Sequence, residues 1–494
     1  MSVATEANPR RTLVLDVGKS NAKLLLIDEA GAVARSAVVA NESARDERFG
    51  FTALGVDRLA QWLRREIASL LDGEAPGRIA VSTHGAAFCA LGDDGLVLPP
   101  IDYEWNGYGD VTAAFDASLR NFAHHGTPRL GLGLNAGRQI DFVLRRFPEL
   151  AARIQYWLPY PQYWAWWFSG VACSEVSSLG CHTGLWAVQD ARFSDWAAAR
   201  GGAARFAPMR RAWDVIGTLR PALARAWKLP AGIEVIAGAH DSNACLARYL
   251  MVYPDATVVS TGTWCIVMAP GADTARLVPD RDELVNVAVD GRPVPTARFM
   301  GGREFWALCA GADPALATPG ALVEVLRQGW MALPSFSDAG GPFEGRPGRI
   351  LRHGASVADG IAAVPERLRP ALASLYCACM TLLLVEDLTG AATSATRAPL
   401  IMEGPLAHNA AYAAAMAALL EERPVLQAID RLEGTARGAW MLARWDERRT
   451  LVAADTLQPV PPPDVALRDL LRAHARAWMA RLHERPVAPS HAGR

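Results

Sequence analysis

The sequence predicts an α/β protein made of two domains of similar size, and two observations support that prediction. The chain has 494 residues, whereas a single hydrophobic core usually stops growing at roughly 250–300 residues. Residues 12–27 have the pattern of a strand, a polar turn that contains glycine and a second strand, and residues 256–268 repeat it. The stretch of chain between the two copies is far too long for the repeat of a solenoid, so we interpret the copies as the beginnings of duplicated domains. We place these domains at residues 12–245 and 246–484.

Short strand patterns dominate the start of the first domain. Residues 12–16, 22–27, 32–40 and 78–82 are apolar runs separated by turns, which predicts strands. A helix is predicted over residues 56–71, because Leu59, Leu63, Ile67 and Leu70 recur at helical spacing. Residues 1–11 are polar, and we expect them to be disordered.

A stretch rich in tryptophan and tyrosine covers residues 149–201. Its tryptophans include Trp157, Trp164, Trp166 and Trp167. Such residues can form a stacking platform for bases or sugars, but nothing basic accompanies them here. We therefore expect them to fill a core.

The second domain alternates helices with strands after its opening hairpin. Helices are predicted at residues 301–310, 321–328, 368–388 and 409–421, a strand at 399–402, and a last helix at about 465–482. Residues 485–494 are expected to form a disordered tail.

The composition is that of an ordinary globular enzyme, with 51% hydrophobic and 20% charged residues. Lys and Arg number 50 against 51 Asp and Glu, a formal net charge of -1. This balance provides no electrostatic footprint for nucleic acid or an anionic membrane. The eight cysteines include no C-x-x-C pair, so we expect reduced core thiols rather than disulfides or a zinc site.

Nothing in the sequence indicates export or membrane insertion. The first residues lack the apolar stretch of a signal peptide. The most apolar window, at about residues 156–172, contains Pro159 and Pro161 and is too short to span a bilayer. We therefore expect a cytoplasmic protein.

A polar turn follows the first predicted strand. The Gly-Lys-Ser triplet at residues 18–20 is like part of a P-loop, but that motif needs a glycine where Leu13 stands and a helix afterwards. A hairpin turn can still hold phosphate through its backbone N–H groups. Lys19 or Lys23 could neutralise phosphate oxygens, and Asp16 could hold Mg²⁺ through waters. Taken alone, an ordinary hairpin with a solvated lysine is the favoured interpretation.

A second turn of this kind, Thr261-Gly262-Thr263, follows the strand predicted at residues 256–260. Its hydroxyls and backbone amides make a second candidate phosphate site, with an ordinary turn as the alternative. Two such turns, one in each domain, are more informative than either alone. Further along, Gly404-Pro405 forms a bend after a strand, which could bring backbone close to a flat ligand or could be a simple loop.

Asp241 lies just after the strand-like run at residues 233–239, where α/β sheets place their ligand sites. It could be a helix N-cap, since residues 244–250 have a helical pattern. It could instead accept a hydroxyl proton during phosphoryl transfer.

These motifs, in this order, resemble those of the FGGY carbohydrate kinases, within the actin-like ATPase superfamily. The family's first phosphate motif, roughly D-x-G-T-x-S-x-K, is similar to residues 16–23, and its G-x-x-D segment is matched by residues 238–241. Its second phosphate motif is matched by residues 260–264, and its glycine-rich adenosine motif, loosely, by residues 403–405. The resemblance extends over about residues 12–450, and the order of the motifs is more specific than any one of them.

The resemblance implies two duplicated actin-like (ribonuclease H-like) ATPase domains with an active-site cleft between them. It implies transfer of the γ-phosphate of ATP to a hydroxyl of a small carbohydrate, with Mg²⁺, and with Asp241 as the catalytic base and Asp16 at the metal. The implied substrate-binding residues are His84, Gly85, Glu104, Trp105 and Asp241. The implied nucleotide-binding residues are Gly18, Lys19, Ser20, Asn21, Lys23, Thr261, Gly262, Thr263, Gly301, Gly302, Gly404, Pro405 and Asn409.

The sequence departs from the family pattern at three places. Lys19 replaces a small hydroxyl residue, Glu403 and Pro405 stand where glycines are usual, and residues 102–105 lack the common Trp-x-Asp-x-Arg pattern. The context of residues 260–264 and of Asp241 leans toward kinases of the deoxyketoses rhamnulose or fuculose. We expect a sugar and ATP as partners, no nucleic acid and no membrane, and leave a homodimer open. A nucleotide-dependent binding or regulatory protein of the same fold, or an inactive sugar sensor, remains the alternative.

Overall fold

The computed structural model describes residues 8–390, 398–420, 423–429, 434–448 and 457–482. These residues form two compact units. Unit 1 contains those within Met1–Pro254, Leu284–Pro295 and Arg431–Ala453, and unit 2 contains those within Asp255–Glu283, Thr296–Asp430 and Ala454–Arg494. The sequence predicts a contiguous second domain, whereas two later segments belong to unit 1. The tail predicted at residues 485–494 lies outside the described residues.

The strands of unit 1 are β1 (Asn8–Val17), β2 (Asn21–Ile27), β3 (Val33–Ala40), β4 (Ala44–Asp46), β5 (Phe51–Ala53), β6 (Pro76–Thr83), β7 (Phe88–Gly92), β8 (Gly95–Leu98), β9 (Tyr156–Pro159), β10 (Trp186–Ala187), β11 (Arg192–Phe193), β12 (Val215–Thr218), β13 (Glu234–Ile236) and β14 (Ala239–His240). The later strands are β15 (Thr257–Thr261), β16 (Cys265–Met268), β17 (Glu283–Val287), β18 (Pro293–Phe299), β19 (Trp330–Leu333), β20 (Arg349–Arg352), β21 (Ala355–Ser356), β22 (Leu400–Glu403), β23 (Val425–Ala428) and β24 (Leu457–Pro459).

The α-helices are α1 (Val56–Leu71), α2 (Asp110–Asp116), α3 (Phe122–His125), α4 (Gly137–Arg146), α5 (Pro148–Ala151), α6 (Tyr160–Ser169), α7 (Val176–Leu179), α8 (Asp195–Ala198), α9 (Pro221–Trp227), α10 (Asp241–Leu250), α11 (Gly301–Cys309), α12 (Pro319–Arg327), α13 (Arg369–Thr389), α14 (Ala410–Leu419), α15 (Gly434–Ala443) and α16 (Val465–Arg481).

The first strand begins earlier than the sequence predicts. Residues 8–11, expected to be disordered, are part of β1, where Asn8 is the register partner of Pro76 in β6. Pairing along a neighbouring strand orders these polar residues, and no local pattern indicates such pairing. Residues 1–7 lie outside the described part of the chain.

The two units share one sheet plan. In unit 1, β1 is antiparallel to β2 and parallel to β6, and β2 is antiparallel to β3. In unit 2, β15 is antiparallel to β16 and parallel to β22, and β16 is antiparallel to residues 296–299 of β18. The predicted duplication of an α/β unit that opens on a hairpin is therefore confirmed.

Both faces of the unit 1 sheet are covered by helices. One face packs on α1 and α6, and its buried members include Leu63, Ile67 and Trp164. The other face packs on α10 and α15, with Ala244 and Trp440 in its core. Because α15 supplies part of this second core, residues 434–443 belong to unit 1 despite their position late in the chain.

The tryptophan-rich segment and the cysteines are mostly core, as predicted. Trp157, Trp164 and Trp167 are buried, and Trp166 is half-buried against the same cluster. All eight cysteines are buried, and none of them forms a disulfide.

One segment, Glu366–Thr389, is long and apolar enough to cross a membrane by length and composition alone, with a mean hydropathy of 1.7. It differs from the window singled out in the sequence, residues 156–172. Within unit 2, 89% of its apolar stretch is buried, as expected of a core helix.

Candidate active site

The sheet of unit 1 brings three chain segments to one edge. Asp16 lies beside Ser82, and His240 lies beside Thr83, in parallel pairs around β6. The carboxyl ends of β1, β6 and β14 therefore coincide, which is the usual place for a ligand site in an α/β sheet. His84 and Asp241, which directly follow β6 and β14, come to this edge as a result.

The turn between β1 and β2 is a closed hairpin. Gly18 N donates to Asn21 O at 2.9 Å, and the side chain of Asn41 donates to Gly18 O at 2.8 Å. A strand follows this turn at once, so the exclusion of a P-loop is confirmed. Asp16 is buried at the strand end, opposite Lys23 in the register.

Lys19 is directed toward a loop that the sequence assigned to the sugar. Its ammonium pairs with the carboxylate of Asp102, lies 3.2 Å from Glu104, and stands 5.0 Å from the ring centre of Tyr103. Burial acts to raise the pKa of Asp102, but hydrogen bonds from Glu104 N–H, Lys19 and Ser43 outweigh it and hold that pKa below the ordinary value. The predicted contact of Lys19 with phosphate stays a prediction. In this structure the Lys19 ammonium forms ion pairs with two carboxylates.

His84 has a buried ring nitrogen without a hydrogen-bond partner among the described residues. Its Nδ1 lies 2.9 Å from Gly85 O, whereas the buried Nε2 has no hydrogen-bond partner. Burial lowers the pKa of His84 despite the nearby charge of Asp241, so the ring is neutral at physiological pH. A neutral imidazole with an open nitrogen can bind a ligand hydroxyl.

Because Gly85 has no side chain, it leaves space for the ring of His240. A Cβ at this position would lie 2.7 Å from the ring of His240. That ring is buried, and burial lowers the pKa of His240. Gly85 therefore acts through close packing rather than through a side chain of its own.

Asp241 is the first residue of α10 and not its N-cap, which is His240. Its Oδ1 accepts from Ser242 N at 2.6 Å and lies 3.0 Å from His240 Nε2. Asn243 Nδ2 donates to His240 Nδ1 at 3.1 Å, which leaves the proton of the neutral ring on Nε2, the nitrogen that lies 3.0 Å from Asp241 Oδ1. In the described part of the chain every contact of this carboxylate goes to Oδ1, so Oδ2 is open to a ligand.

The two other residues predicted at the sugar differ in exposure. Glu104 is mostly exposed and is anchored through its N–H, which donates to Asp102 Oδ1 at 2.9 Å. Trp105 is half-buried against Tyr108 and Phe142, with ring centres 4.7 and 5.0 Å away. Trp105 is thus part of an aromatic cluster that supports the loop.

In unit 2, the second turn lies against the Gly404 bend. Thr261 Oγ1 donates to Glu403 O at 2.5 Å and accepts from Leu406 N at 3.1 Å. Gly404 has a φ of +82°, and a Cβ there would overlap Thr261 O. Only glycine fits this close approach in that conformation.

Helix α11 also begins against this turn. A Cβ at Gly302 would overlap Gly262 O, and one at Gly301 would overlap Cys265 Sγ. A cleft of about 660 Å³ opens beside these glycines. Its lining consists of Gly262, Thr263, Gly302, Arg303, Phe305, Trp306, Pro314, Ala315, Pro405, Leu406, His408 and Asn409.

The cleft therefore contains members of all three nucleotide segments that the sequence predicts within unit 2: Thr263, Gly302 and Pro405. The sequence did not predict part of its wall, such as the exposed Trp306, which lies on the same helix as the predicted Gly301 and Gly302. Asn409 lines it while capping α14 through Tyr412 N. In unit 1, the sequence did not predict a role for Asp102. The signal that could have indicated one is an acidic residue within residues 102–105, where the chain departs from the family pattern.

No cluster of three or more metal-ligating side chains occurs in the residues that the structure describes. Mg²⁺ bound together with a nucleotide needs only one or two carboxylates, since phosphates and waters complete its shell. A single buried carboxylate at a strand end, such as Asp16, fits that requirement.

Two family models match the chain over most of its length. The N-terminal domain of the FGGY family of carbohydrate kinases matches residues 11–247, and the C-terminal domain of carbohydrate kinase FGGY matches residues 253–450. The chain therefore belongs to the FGGY family of carbohydrate kinases. The family and the enzyme class that the motifs predict are confirmed.

Individual relatives are consistent with this assignment. A carbohydrate kinase from Novosphingobium aromaticivorans is 34% identical, with a TM-score of 0.85 over 97% of this chain and 99% of that one. A xylulose kinase from Rhodospirillum rubrum shares the fold at 19% identity, with a TM-score of 0.74 over 95% and 98% of the two chains. The L-fuculokinase of Salmonella typhi is 26% identical over 270 residues, which cover 52% of this chain and 56% of the relative.

Proposed function

We propose that this chain is an ATP-dependent kinase that transfers the γ-phosphate of ATP to a hydroxyl of a small, uncharged sugar, with Asp241 as the general base. The observation that carries the proposal is the environment of Asp241. Its Oδ1 accepts a hydrogen bond from Ser242 N at 2.6 Å and lies 3.0 Å from His240 Nε2, while Oδ2 is open. A carboxylate fixed by one oxygen presents the other in a defined direction, as general base catalysis requires.

In the proposed reaction, Asp241 Oδ2 takes the proton of the acceptor hydroxyl. The hydroxyl oxygen forms a bond to the γ-phosphorus of ATP, the bond to the β–γ bridging oxygen breaks, and ADP leaves. Such transfers depend mainly on positioning and charge neutralisation. The unpartnered Nε2 of His84 would hold a second hydroxyl and so fix the orientation of the sugar.

We assign nucleotide binding in unit 2 to the cleft beside Gly262, Gly302 and Pro405. Its mostly apolar wall, which includes Trp306, suits a flat purine, and the backbone N–H groups of the turn at residues 261–263 suit phosphate oxygens. In unit 1, the turn at residues 18–21 is the other proposed phosphate contact. Mg²⁺, held near Asp16, would neutralise phosphate charge.

The charges at the site of unit 1 favour an uncharged acceptor. Asp102, Glu104 and Asp241 bring three carboxylates, Lys19 supplies an ammonium that pairs with Asp102 and Glu104, and His84 is neutral. The carboxylate of a sugar acid would meet uncompensated negative charge there. The similarity to an L-fuculokinase supports a deoxyketose as the acceptor.

The test is sugar-dependent release of ADP by the purified protein. The panel comprises L-fuculose, L-rhamnulose, xylulose, glycerol and gluconate, with Asp241→Asn as the matched inactive control. We expect release with at least one uncharged ketose and none with gluconate. Slow ATP hydrolysis that no sugar stimulates would instead identify a nucleotide-dependent binding protein.

A further inference from the structure

Unit 1 contains a cleft of its own, which shares no lining residue with the site around Asp241. Its volume is about 640 Å³, close to that of the cleft in unit 2. Tyr163, Trp166 and Trp167, all on α6, form its aromatic wall. Nothing in the proposed kinase reaction uses this space.

Three arginines from separate segments line this cleft: Arg48 between β4 and β5, Arg64 on α1, and Arg220 just before α9. Two of them stack on the aromatic wall. The guanidinium carbon of Arg220 is 4.6 Å from the ring centre of Trp166, and that of Arg64 is 5.3 Å from Trp167. Stacking fixes the plane of a guanidinium and leaves its N–H edge available to a ligand.

None of these three arginines forms an ion pair with a carboxylate in the described part of the chain. Two aspartates also line the cleft. Asp46 Oδ1 accepts from the backbone N–H groups of Arg48 and Phe49, at 2.9 and 3.2 Å, which closes a turn. Asp57 lies in the first turn of α1. The charged lining therefore has a net charge of +1, with the carboxylate of Asp46 already engaged.

Arg220 supplies the most specific sign of a ligand. Its Nη2 donates to Trp166 O at 2.9 Å, whereas its Nε is buried and has no hydrogen-bond partner in the described residues. An unsatisfied buried N–H of a charged group is costly, so such a group usually has a ligand or ordered water as its partner.

We propose that this cleft binds a small organic anion. Its phosphate or carboxylate group would be held by Arg220 and Arg64, and its apolar or ring-containing body would lie against Trp166 and Tyr163. Guanidinium forks match both kinds of oxyanion, and the aromatic wall adds apolar contact area. Because the cleft lies apart from the site around Asp241, the occupant is an effector or a ligand of separate function rather than the acceptor sugar.

Calorimetric titration of the full chain with phenyl phosphate and with benzoate tests the proposal, and the two arms distinguish a phosphate from a carboxylate ligand. Benzyl alcohol, which lacks the charge, is the matched neutral probe. We expect saturable binding of at least one anion and none of the alcohol. No saturable binding of either anion, or equal binding of the alcohol, would overturn the proposal.

Variants locate the binding. Arg220→Gln and Arg64→Gln should each weaken binding of the anion by about tenfold or more, the size of one lost charge-assisted hydrogen bond. Arg64 is exposed, so its substitution leaves the core intact. Arg65→Gln removes an exposed arginine next to Arg64 on α1 that does not line the cleft, so it should bind as the wild type does. Equal affinity in Arg64→Gln and Arg65→Gln would place the anion elsewhere and refute the assignment.

Discussion

Lys19 Nζ lies 3.2 Å from a carboxylate oxygen of Glu104 and also pairs with the buried Asp102. The turn after β1 is thereby joined to the loop at residues 102–105. A lysine that family comparison assigns to phosphate is, in this chain, occupied by the loop assigned to the sugar.

We therefore predict that Lys19→Met raises the KM for the sugar by about tenfold, the scale of one charged hydrogen bond, and changes the KM for ATP little. The variant leaves the carboxylate of Asp102 buried without its cation, which disturbs the loop. Steady-state kinetics with each substrate varied in turn measure both constants. Lys19→Arg keeps the charge and should restore most of the sugar affinity, whereas a raised KM for ATP alone would support the phosphate role.

Asp241→Asn should lower kcat by about 10²–10⁴, the usual contribution of a general base. The amide keeps the size of the side chain but cannot take the acceptor proton. Far-ultraviolet circular dichroism and nucleotide titration serve as controls, because the fold and ADP affinity should remain those of the wild type. Turnover at the wild-type rate would show that another group is the base.

Asn243→Ala removes the donor that fixes the proton of His240 on Nε2. The proton of the neutral ring can then move to Nδ1, which places an unprotonated Nε2 beside the carboxylate of Asp241 and changes the electrostatic environment of the proposed base. We expect a fall in kcat with the KM for ATP unchanged, and a smaller effect than in Asp241→Asn. Because a structural role would lower activity by unfolding, the thermal midpoint must be measured alongside; a lower kcat explained wholly by unfolding contradicts the positioning role.

Gly302→Ala should weaken nucleotide binding although alanine is the better helix former. Its Cβ would overlap Gly262 O, so either α11 or the turn must move, at a cost of about 1–3 kcal/mol. Titration with ADP measures the effect. Gly320→Ala in α12 is the matched control, since the nearest atom to its Cβ, Thr318 Oγ1, is 3.8 Å away.

Acid should destabilise unit 1 through His125. Burial lowers the pKa of this residue from 6.5 to about 4, and Thr127 N donates to its Nδ1 at 3.0 Å. At a pH between these two pKa values, the unfolded chain binds a proton that the folded chain does not. The free energy of unfolding therefore falls as the pH drops through this range, by about 2 kcal/mol at pH 5. Urea unfolding at pH 7.5 and pH 5 should show a smaller difference in His125→Gln; an unchanged difference would exclude His125 as the cause.

Local sequence patterns predicted much of the secondary structure. The helix at residues 56–71 has the bounds that its apolar spacing indicates, and the strands around residues 18–20 and 262–264 are where the short apolar runs place them. These features depend on neighbours a few residues away, so periodicity and turn residues are sufficient to find them. The strand pairing of residues 8–11 and the packing of α15 depend on distant partners and were missed.

By itself, the sequence determined the family, the duplicated α/β plan and the segments from which a site could be built, because ordered motifs and short-range patterns carry that information. Only the tertiary structure decided what the side chains of those segments contact. It placed the ammonium of Lys19 on Asp102 and Glu104, brought His240 Nε2 to 3.0 Å from Asp241 Oδ1, and gathered Arg64 and Arg220 around one cleft. These are contacts between residues far apart in the chain or set by side-chain direction, which spacing along the sequence does not specify.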